Sequence, residues 1–529
     1  MSAANTPTPA ARTAIPRDWI PGMVENAKPD LVSGFIIFLI ALPLSLGIAL
    51  ASGAPAIAGV ITAVIGGILG SLMSGSHLTI NGPAAGLIVI VLGAVNAFGG
   101  GMEGFRVALA VGVICGGLQI VIGLLKAGKL TNMFPLHVVH GMLAGIGVII
   151  MAKQIHVALG VKVGGSMIAT IAAIPSSFAT MIPSVALIGA ISLMIMIVWP
   201  KLGKAVPFLK AIPAPLVVVM TAVAMGKGFN LEAKYLVLVP LNFMESFAFP
   251  DFSKLGDGVF WKYVITYLFV ASLESLLTAA AIDKMDPWKR RSNMNRELIG
   301  KGAANAIAAA IGGLPMIAEV VRSSANVMNG GRTRWANFYH GVFLLVAVVA
   351  IPVVLNMIPL AALAGMLVFI GFRLAHPREF AHAWHIGKEE FLFMFATTAI
   401  VVAVDLLWGV IIGFAVAVLT NLIRGGAKNF LKANIEVRTQ GDATTLKFIG
   451  AVGFNNYVGV RSVLDSLPKG KQLTLDYSGV TFIDHTVRER LHDFKGEYEG
   501  EGGTMKFTGE SALRPSSHHE MSAMVRAKA

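Results

Sequence analysis

Glu274 sits in FVASLESLLTAAAIDK, an apolar stretch with no other charge before Asp283. A carboxylate inside membrane-length sequence is expensive and marks a functional group by default. It can carry a proton, or help to hold a hard cation such as Na+, which prefers oxygen ligands. Ser275 and Thr278 offer hydroxyls beside it, and Thr278, four residues on, shares its helix face. The alternative is an acid that only bonds a neighbouring helix. The complementary charge is Arg322, in GGLPMIAEVVRSSANVMNGG (Gly312 to Gly331). A guanidinium keeps its charge and grips planar or tetrahedral oxyanions through paired hydrogen bonds. Arg322 either faces such an anion or only neutralises Glu274 or Glu319. Glu319 is either a second cavity carboxylate or a residue of the outer mouth.

The Arg322 segment has an earlier counterpart, HLTINGPAAG (His77 to Gly86). Each runs from a small or Gly-rich turn, through a short extended piece, into a helix of small residues. Broken hydrophobic segments in corresponding halves of a membrane chain point to a binding site. Irregular backbone at that depth survives only where protein buries it or it lines a cavity. Helix N-termini carry partial positive charge. The predicted anion donors are the first-turn N–H groups of Ser323, Ser324 and Ala325, facing the first-turn backbone of Gly82, Pro83, Ala84, Ala85 and Gly86, in which every residue but Pro83 carries an N–H. Pro83 suits a first turn, where it forfeits no hydrogen bond, and small side chains let backbone approach a ligand. These features read as a membrane carrier for a small anion, with a cation at Glu274.

The rest of the chain must hold these groups in a bilayer. Of 529 residues 55% are hydrophobic and 13% charged, too little polar surface to cover a soluble core of that size. Apolar runs of membrane-spanning length recur from Leu31 to Ile423 and predict about fourteen spans, with 166–200 taken as one Pro-interrupted region. The net charge of +13 is distributed over alternate loops, which argues for membrane orientation rather than nucleic acid. One set holds Lys126 and Lys129, then Lys201, Lys204 and Lys210, then Lys284, Lys289, Arg290, Arg291, Arg296 and Lys301. It continues with Arg332, Arg334, Arg373, Arg378, Arg424, Lys428 and Lys432, whereas the other loops carry Glu232, Glu245, Asp251 and Asp257. This pattern places both termini in the cytoplasm. Residues 1–30 contain no apolar run of signal-peptide length and read as a cytoplasmic segment.

Several residues carry less. Asp30 reads as a cap of the first span, Pro43 as a kink within it, and Asp405 and Lys153 as interfacial. His137, His140 and His156 read as structural, and the single Cys115 as an apolar filler that excludes a disulfide framework. There is no P-loop, serine elbow or zinc-ligand cluster, so the reading is a non-enzyme without a cofactor, driven by an ion gradient. From about 434 to 510, strand-like TTLKFIG, QLTLDYSGVTFID and GTMKFTG alternate with a charged helix and predict a small α/β domain. Residues 511–529 read as a mobile tail.

The motifs resemble those of the sulfate permease (SulP) anion-transporter family. DLVSGFIIFLIALPLSLGIALASG is similar to its first span, NGPAAG to its third, ESLLTAAAIDK to its eighth and GGLPMIAEVVRSSANVMNGGRT to its tenth. The resemblance implies an all-α membrane domain over 31–423, built as two inverted seven-span repeats with core and gate domains. It also implies a substrate site between the third- and tenth-span half-helices, elevator-like alternating access, and a homodimer in the cytoplasmic membrane. LTLDYSGVTFIDHTVRERL resembles a STAS domain, a cytoplasmic regulatory module with its own possible partner. There Asp484 is followed by His485 and Thr486 where the family usually has Ser, which puts phospho-switching in doubt. SLESLLT resembles sodium–bicarbonate symporters of the family, in which Glu274 and Thr278 would be the Na+ ligands. Glu replaces the usual shorter Asp, as in proton-coupled members. The expectation is Na+-coupled bicarbonate uptake, with H+-coupled sulfate transport close behind, and an uncoupled anion channel or anion-responsive sensor as a further alternative.

Overall fold

A computed structural model describes residues 15–210, 212–426, 430–468 and 470–526. Lys428, the first fourteen residues of the N-terminal segment and the last three of the tail lie outside the described residues. The first half of the membrane domain contains α1 (Ala27–Ala51), α2 (Ala56–Met73), β1 (Asn81–Pro83), α3 (Ile88–Ala97) and α4 (Gly101–Leu124). It continues with α5 (Leu136–Ala158), α6 (Pro183–Ala205) and α7 (Ala214–Gly228). The second half contains α8 (Gly258–Met285), α9 (Met294–Ala310), β2 (Met316–Ala318), α10 (Val320–Met328) and α11 (Trp335–Ala350), then α12 (Leu360–Leu374), α13 (Lys388–Ala403) and α14 (Leu406–Gly425). Among the described residues, eight helices are long and apolar enough to cross a bilayer. The Pro-rich region around Ile174 resolves into two short helices, Met167–Ala172 and Ile174–Ala179, ahead of α6.

The helices pack as two bodies. One contains α1 to α4 with α8 to α11, and the other α5 to α7 with α12 to α14. Small residues let backbones touch where helices cross, as they do in membranes generally. A Cβ on Gly67 would lie 2.5 Å from the Gly341 Cα, and one on Gly116 2.6 Å from the Gly302 carbonyl. Lipid-side positions such as Leu187, Met194, Phe395 and Leu419 remain exposed.

After α14 the chain builds β3 (Asn434–Gln440), β4 (Ala443–Val452), α15 (Tyr457–Asp465), β5 (Gln472–Ile483), α16 (His485–Gly500) and β6 (Thr504–Thr508). β4 and β6 run parallel to β5, and β3 pairs antiparallel with β4. This unit has a core of its own, which includes Phe448, Leu475, Tyr477 and Leu491. The expected mobile tail is corrected: Leu513–Pro515 (β7) and Met524–Arg526 (β8) pair with each other, and β8 pairs with the end of β5. Their backbone groups are satisfied by the sheet, and the α/β unit therefore runs on to residue 526.

Candidate functional site

The two broken segments meet as strands. Asn81 pairs with Ala318, Gly82 with Ile317 and Pro83 with Met316, antiparallel and fully buried. This satisfies extended backbone that lipid could not solvate. Pro83 therefore ends a strand rather than opening a helix, and a 3-10 turn over Ala85–Leu87 leads into α3. On the other side α10 starts at Val320, two residues before Arg322, because Glu319 caps it. The Glu319 carboxylate accepts the Arg322 N–H at 2.8 Å.

This capping changes the donors assigned to the second segment. The Ser323 N–H bonds to the Glu319 carbonyl at 2.9 Å, inside the helix. Its hydroxyl accepts the Ile80 N–H at 2.8 Å and donates to the Glu319 carbonyl at 2.6 Å. Ser323 thus staples the two segments together. Ser324 is only half-buried and turns its hydroxyl to the Met285 sulfur at 3.6 Å. Glu319 is accordingly a helix cap.

The two charges face the first segment. Arg322 is wholly buried, and none of its Nε, Nη1 and Nη2 atoms has a hydrogen-bond partner. No carboxylate lies within 4.0 Å of it among the described residues, so it neutralises neither Glu274 nor Glu319 by contact. Its Nη1 lies over Gly82, where a Cβ would stand 2.4 Å away. Glu274, on α8, lies over Gly86, where a Cβ would stand 2.2 and 2.5 Å from the two carboxylate oxygens. Its Oε1 has no hydrogen-bond partner. Thr278 is buried one turn further along α8, and the Ser275 hydroxyl accepts the Ala318 N–H at 3.3 Å. Ala84 and Ala85 are also buried, at the turn between the two charge positions. A bare buried charge is costly unless something compensates it. The arrangement has the chemistry to receive an anion at Arg322 and a cation or proton at Glu274.

The scaffold is held by polar groups that sequence reading missed. Lys301, counted as a loop cation, is fully buried in α9 and pairs with Glu297 at 2.7 Å. Its ammonium also donates to the Asn81 side-chain carbonyl, at the start of β1. Glu297 in turn accepts from the Ser74 hydroxyl at 2.5 Å and the Gly75 N–H at 2.9 Å. The signal was the i,i+4 spacing of Glu297 and Lys301. Asn305 brackets β2 by bonding both the N–H and the carbonyl of Met316. Asp30 does not cap α1, whose N-cap is Asn26; it lies within the helix and accepts the Arg332 and Thr333 N–H groups at 2.7 and 3.1 Å, anchoring the loop after α10.

A sequence profile described as the sulfate permease family matches residues 28–397. The chain belongs to the sulfate permease family. It is a multi-pass membrane transporter rather than an enzyme. It is 29% identical over 399 residues to YvdB of Bacillus subtilis (strain 168), provisionally named a sulfate transporter, covering 74% of this chain and 73% of that one. It is also 29% identical over 405 residues to the bicarbonate transporter BicA of Picosynechococcus sp. (strain ATCC 27264 / PCC 7002 / PR-6), covering 74% and 70% respectively. Among solved structures, the transmembrane domain of a cyanobacterium BicA superimposes with a TM-score of 0.63 at 26% identity, covering 73% of this chain and 97% of that one. SLC26A9, at 16% identity, shares the fold with a TM-score of 0.67 over 92% of this chain and 85% of its own. The C-terminal α/β unit fits the STAS domain of the family.

That domain rests on the membrane helices through the turn that holds Asp484 and the departing His485. Asp484 caps α16 by accepting the Val487 N–H at 2.7 Å, and also accepts from Asn421 of α14 at 2.8 Å. His485 bonds the Met521 carbonyl at 2.7 Å and Glu489 at 3.2 Å, and its ring lies 5.1 Å from that of His137 on α5. His137 pairs with Glu390 at 2.8 Å, whereas His156 is satisfied within the membrane domain by Ser177 and Thr170. Burial alone would lower the His485 pKa, but the Glu489 and Glu390 carboxylates and the Met521 carbonyl raise it to about 9.

Proposed function

We propose that this chain is a secondary active transporter of a small inorganic oxyanion, and that it takes up bicarbonate together with Na+. The observation that carries the reading is the unpartnered Arg322 guanidinium over Gly82, beside a Glu274 carboxylate over Gly86. The anion binds Arg322 and the backbone of Gly82, Pro83, Ala84 and Ala85, while Ser323, whose hydroxyl is engaged by Ile80 and Glu319, and Ser324, turned to Met285, support that side from α10 without donating to it. Na+ binds Glu274 and Thr278. Each charge offsets the other, so the loaded body holding the site slides against its neighbour in elevator fashion, whereas a half-loaded site would carry an uncompensated charge through lipid.

The relatives named as bicarbonate transporters support the choice of anion. The relative named for sulfate, and a glutamate that serves equally as a proton carrier, favour H+-coupled sulfate transport as the second reading. The domain organisation follows: residues 31–423 span the cytoplasmic membrane fourteen times with both ends cytoplasmic, a STAS domain from 434 regulates them, and the unit assembles as a homodimer.

Radiolabelled uptake into proteoliposomes tests this, with bicarbonate and sulfate offered separately under an inward Na+ or H+ gradient. The expected result is bicarbonate accumulation that requires Na+, weakened by Arg322→Ala and abolished by Glu274→Gln. Full concentrative uptake by Glu274→Gln refutes the coupling role. Anion flux indifferent to both gradients makes the protein a channel.

A further inference from the structure

A charged cavity lies on the seam between the two packing bodies, apart from Arg322 and Glu274. It encloses about 260 Å³. One body lines it with Asn96 at the end of α3 and with Lys262 and Thr266 of α8, the other with Lys153 of α5 and Asp405 before α14. Lys262 and Asp405 meet across the seam at 2.6 Å. Asp405 also caps α14 by accepting the Trp408 N–H at 2.9 Å. Lys153 has no hydrogen-bond or ion-pair partner among the described residues. The cavity thus holds two ammonium groups against one carboxylate, a balance that draws anions.

Its place in the molecule follows from the opposite ends of the same helices. Lys284, at the far end of α8, pairs with Asp493 of the STAS domain at 2.7 Å. Leu136, at the start of α5, donates its N–H to Thr486 at 3.4 Å, and Asn421, late in α14, bonds Asp484. The cavity is therefore on the membrane face away from the STAS domain. It shares its lining helices with the site. Thr266 and Glu274 lie on one stripe of α8, two turns and about 12 Å apart. In the turn ahead of α3 Gly86 packs on Glu274, and within α3 Gly93 packs on the Tyr263 hydroxyl, so the same face meets α8 at both levels.

We propose that this cavity is an outer capture site for the small oxyanion: Lys153 and Lys262 are its ligands, and Asp405 is a tethered competitor that latches the two bodies until an anion replaces it on Lys262. This rests on the transport reading above only for the identity of the anion.

The test uses the full chain in proteoliposomes with Cys115→Ala and Thr266→Cys, and a membrane-impermeant thiol reagent applied from the side away from the STAS domain. In gluconate medium Asp405→Asn is expected to speed labelling of position 266 by roughly two- to five-fold, as loss of one partly exposed ion pair allows. Sulfate or bicarbonate is expected to speed labelling with Asp405 present, and not in Asp405→Asn or Lys153→Gln. Labelling that ignores Asp405→Asn, or an anion response that survives Lys153→Gln, overturns the proposal. Labelling needs no net transport. A chain that labels as expected but accumulates neither anion refutes the transport reading and leaves the capture site standing.

Discussion

Two glycines set the distance between the backbone and the two charges of the site, and adding one methyl to each separates their roles. In Gly86→Ala the new Cβ would lie 2.2 and 2.5 Å from the Glu274 oxygens and 2.7 Å from the carboxyl carbon. Ordinary contact requires the carboxylate to retreat by about 1 Å. Overpacking of this kind costs about 1–3 kcal/mol, which is roughly a 5- to 150-fold change in an equilibrium. In Gly82→Ala the close atom is only the Arg322 Nη1, at 2.4 Å, with the guanidinium carbon already at 3.6 Å. The end of a flexible side chain yields more easily, so this effect falls at the low end of the same range. Uptake assays read the two separately. Gly86→Ala raises the cation concentration for half-maximal uptake, with a smaller change for the anion. Gly82→Ala raises the half-saturating anion concentration, with little change for the cation. Thermal unfolding in detergent reports any general loss of fold. Equal shifts of the same parameter in both variants, or a wild-type cation requirement in Gly86→Ala, would refute the division of the site.

Lys301→Met leaves Glu297 buried and unpaired and should cost about 3–5 kcal/mol of stability; thermal unfolding in detergent checks it, and the double change with Glu297→Gln should recover much of the loss. The STAS contact should depend on pH. His485 is raised from its ordinary value to about 9, so its contribution is complete below pH 6.5 and is lost as pH rises through about 9. Glu489, held down to about 2 chiefly by its hydrogen bond to His485, keeps its contribution above its ordinary range and loses it only as pH falls through about 2. Relative to the intrinsic base-catalysed rate, hydrogen exchange at the start of α16 should therefore lose protection between pH 6.5 and 9, and His485→Gln should remove that loss of protection.

The membrane domain was legible because span length and the pair of broken segments are local signals. The pairing of those segments was not, since β1 and β2 are only three residues each and lie far apart in sequence. Nothing in NGP or MIA announces a strand; the strand forms because two extended pieces buried among helices are shielded from water and must bond each other and the few side chains, such as Asn305 and Ser275, that reach them. The start of α10 was misplaced for a related reason. Glu319 read as a free carboxylate because it stands in apolar sequence, yet its spacing before Arg322 is that of a cap bonding the third helical N–H. The tail from Ser511 lacks periodicity, and strands as short as β7 and β8 carry almost none.

Counting charges by loop also hid Lys301. Positive-inside reasoning treats every lysine near a span end as solvated, but an acid four residues earlier lets a lysine enter the protein as an ion pair. Here that pair has a purpose the site explains. Lys301 holds Asn81, Asn81 opens β1, and β1 presents Gly82 to Arg322, while Asn305 fixes β2 from the same helix, α9. The site's own charges are left without such bonds, although partners were available in the sequence. Had Arg322 been paired with Glu319 or Glu274, the buried cation would have been satisfied and would have offered an anion little. The chain places its compensating bonds one layer behind the site, so that two opposite charges stay rigidly placed and unpaired, each with a glycine backbone against it. A carrier whose two separated charges are each compensated locally only when both ligands are bound needs that arrangement, because a direct Arg322–Glu274 salt bridge would compensate them in the empty core as well and let it move as freely as the loaded one.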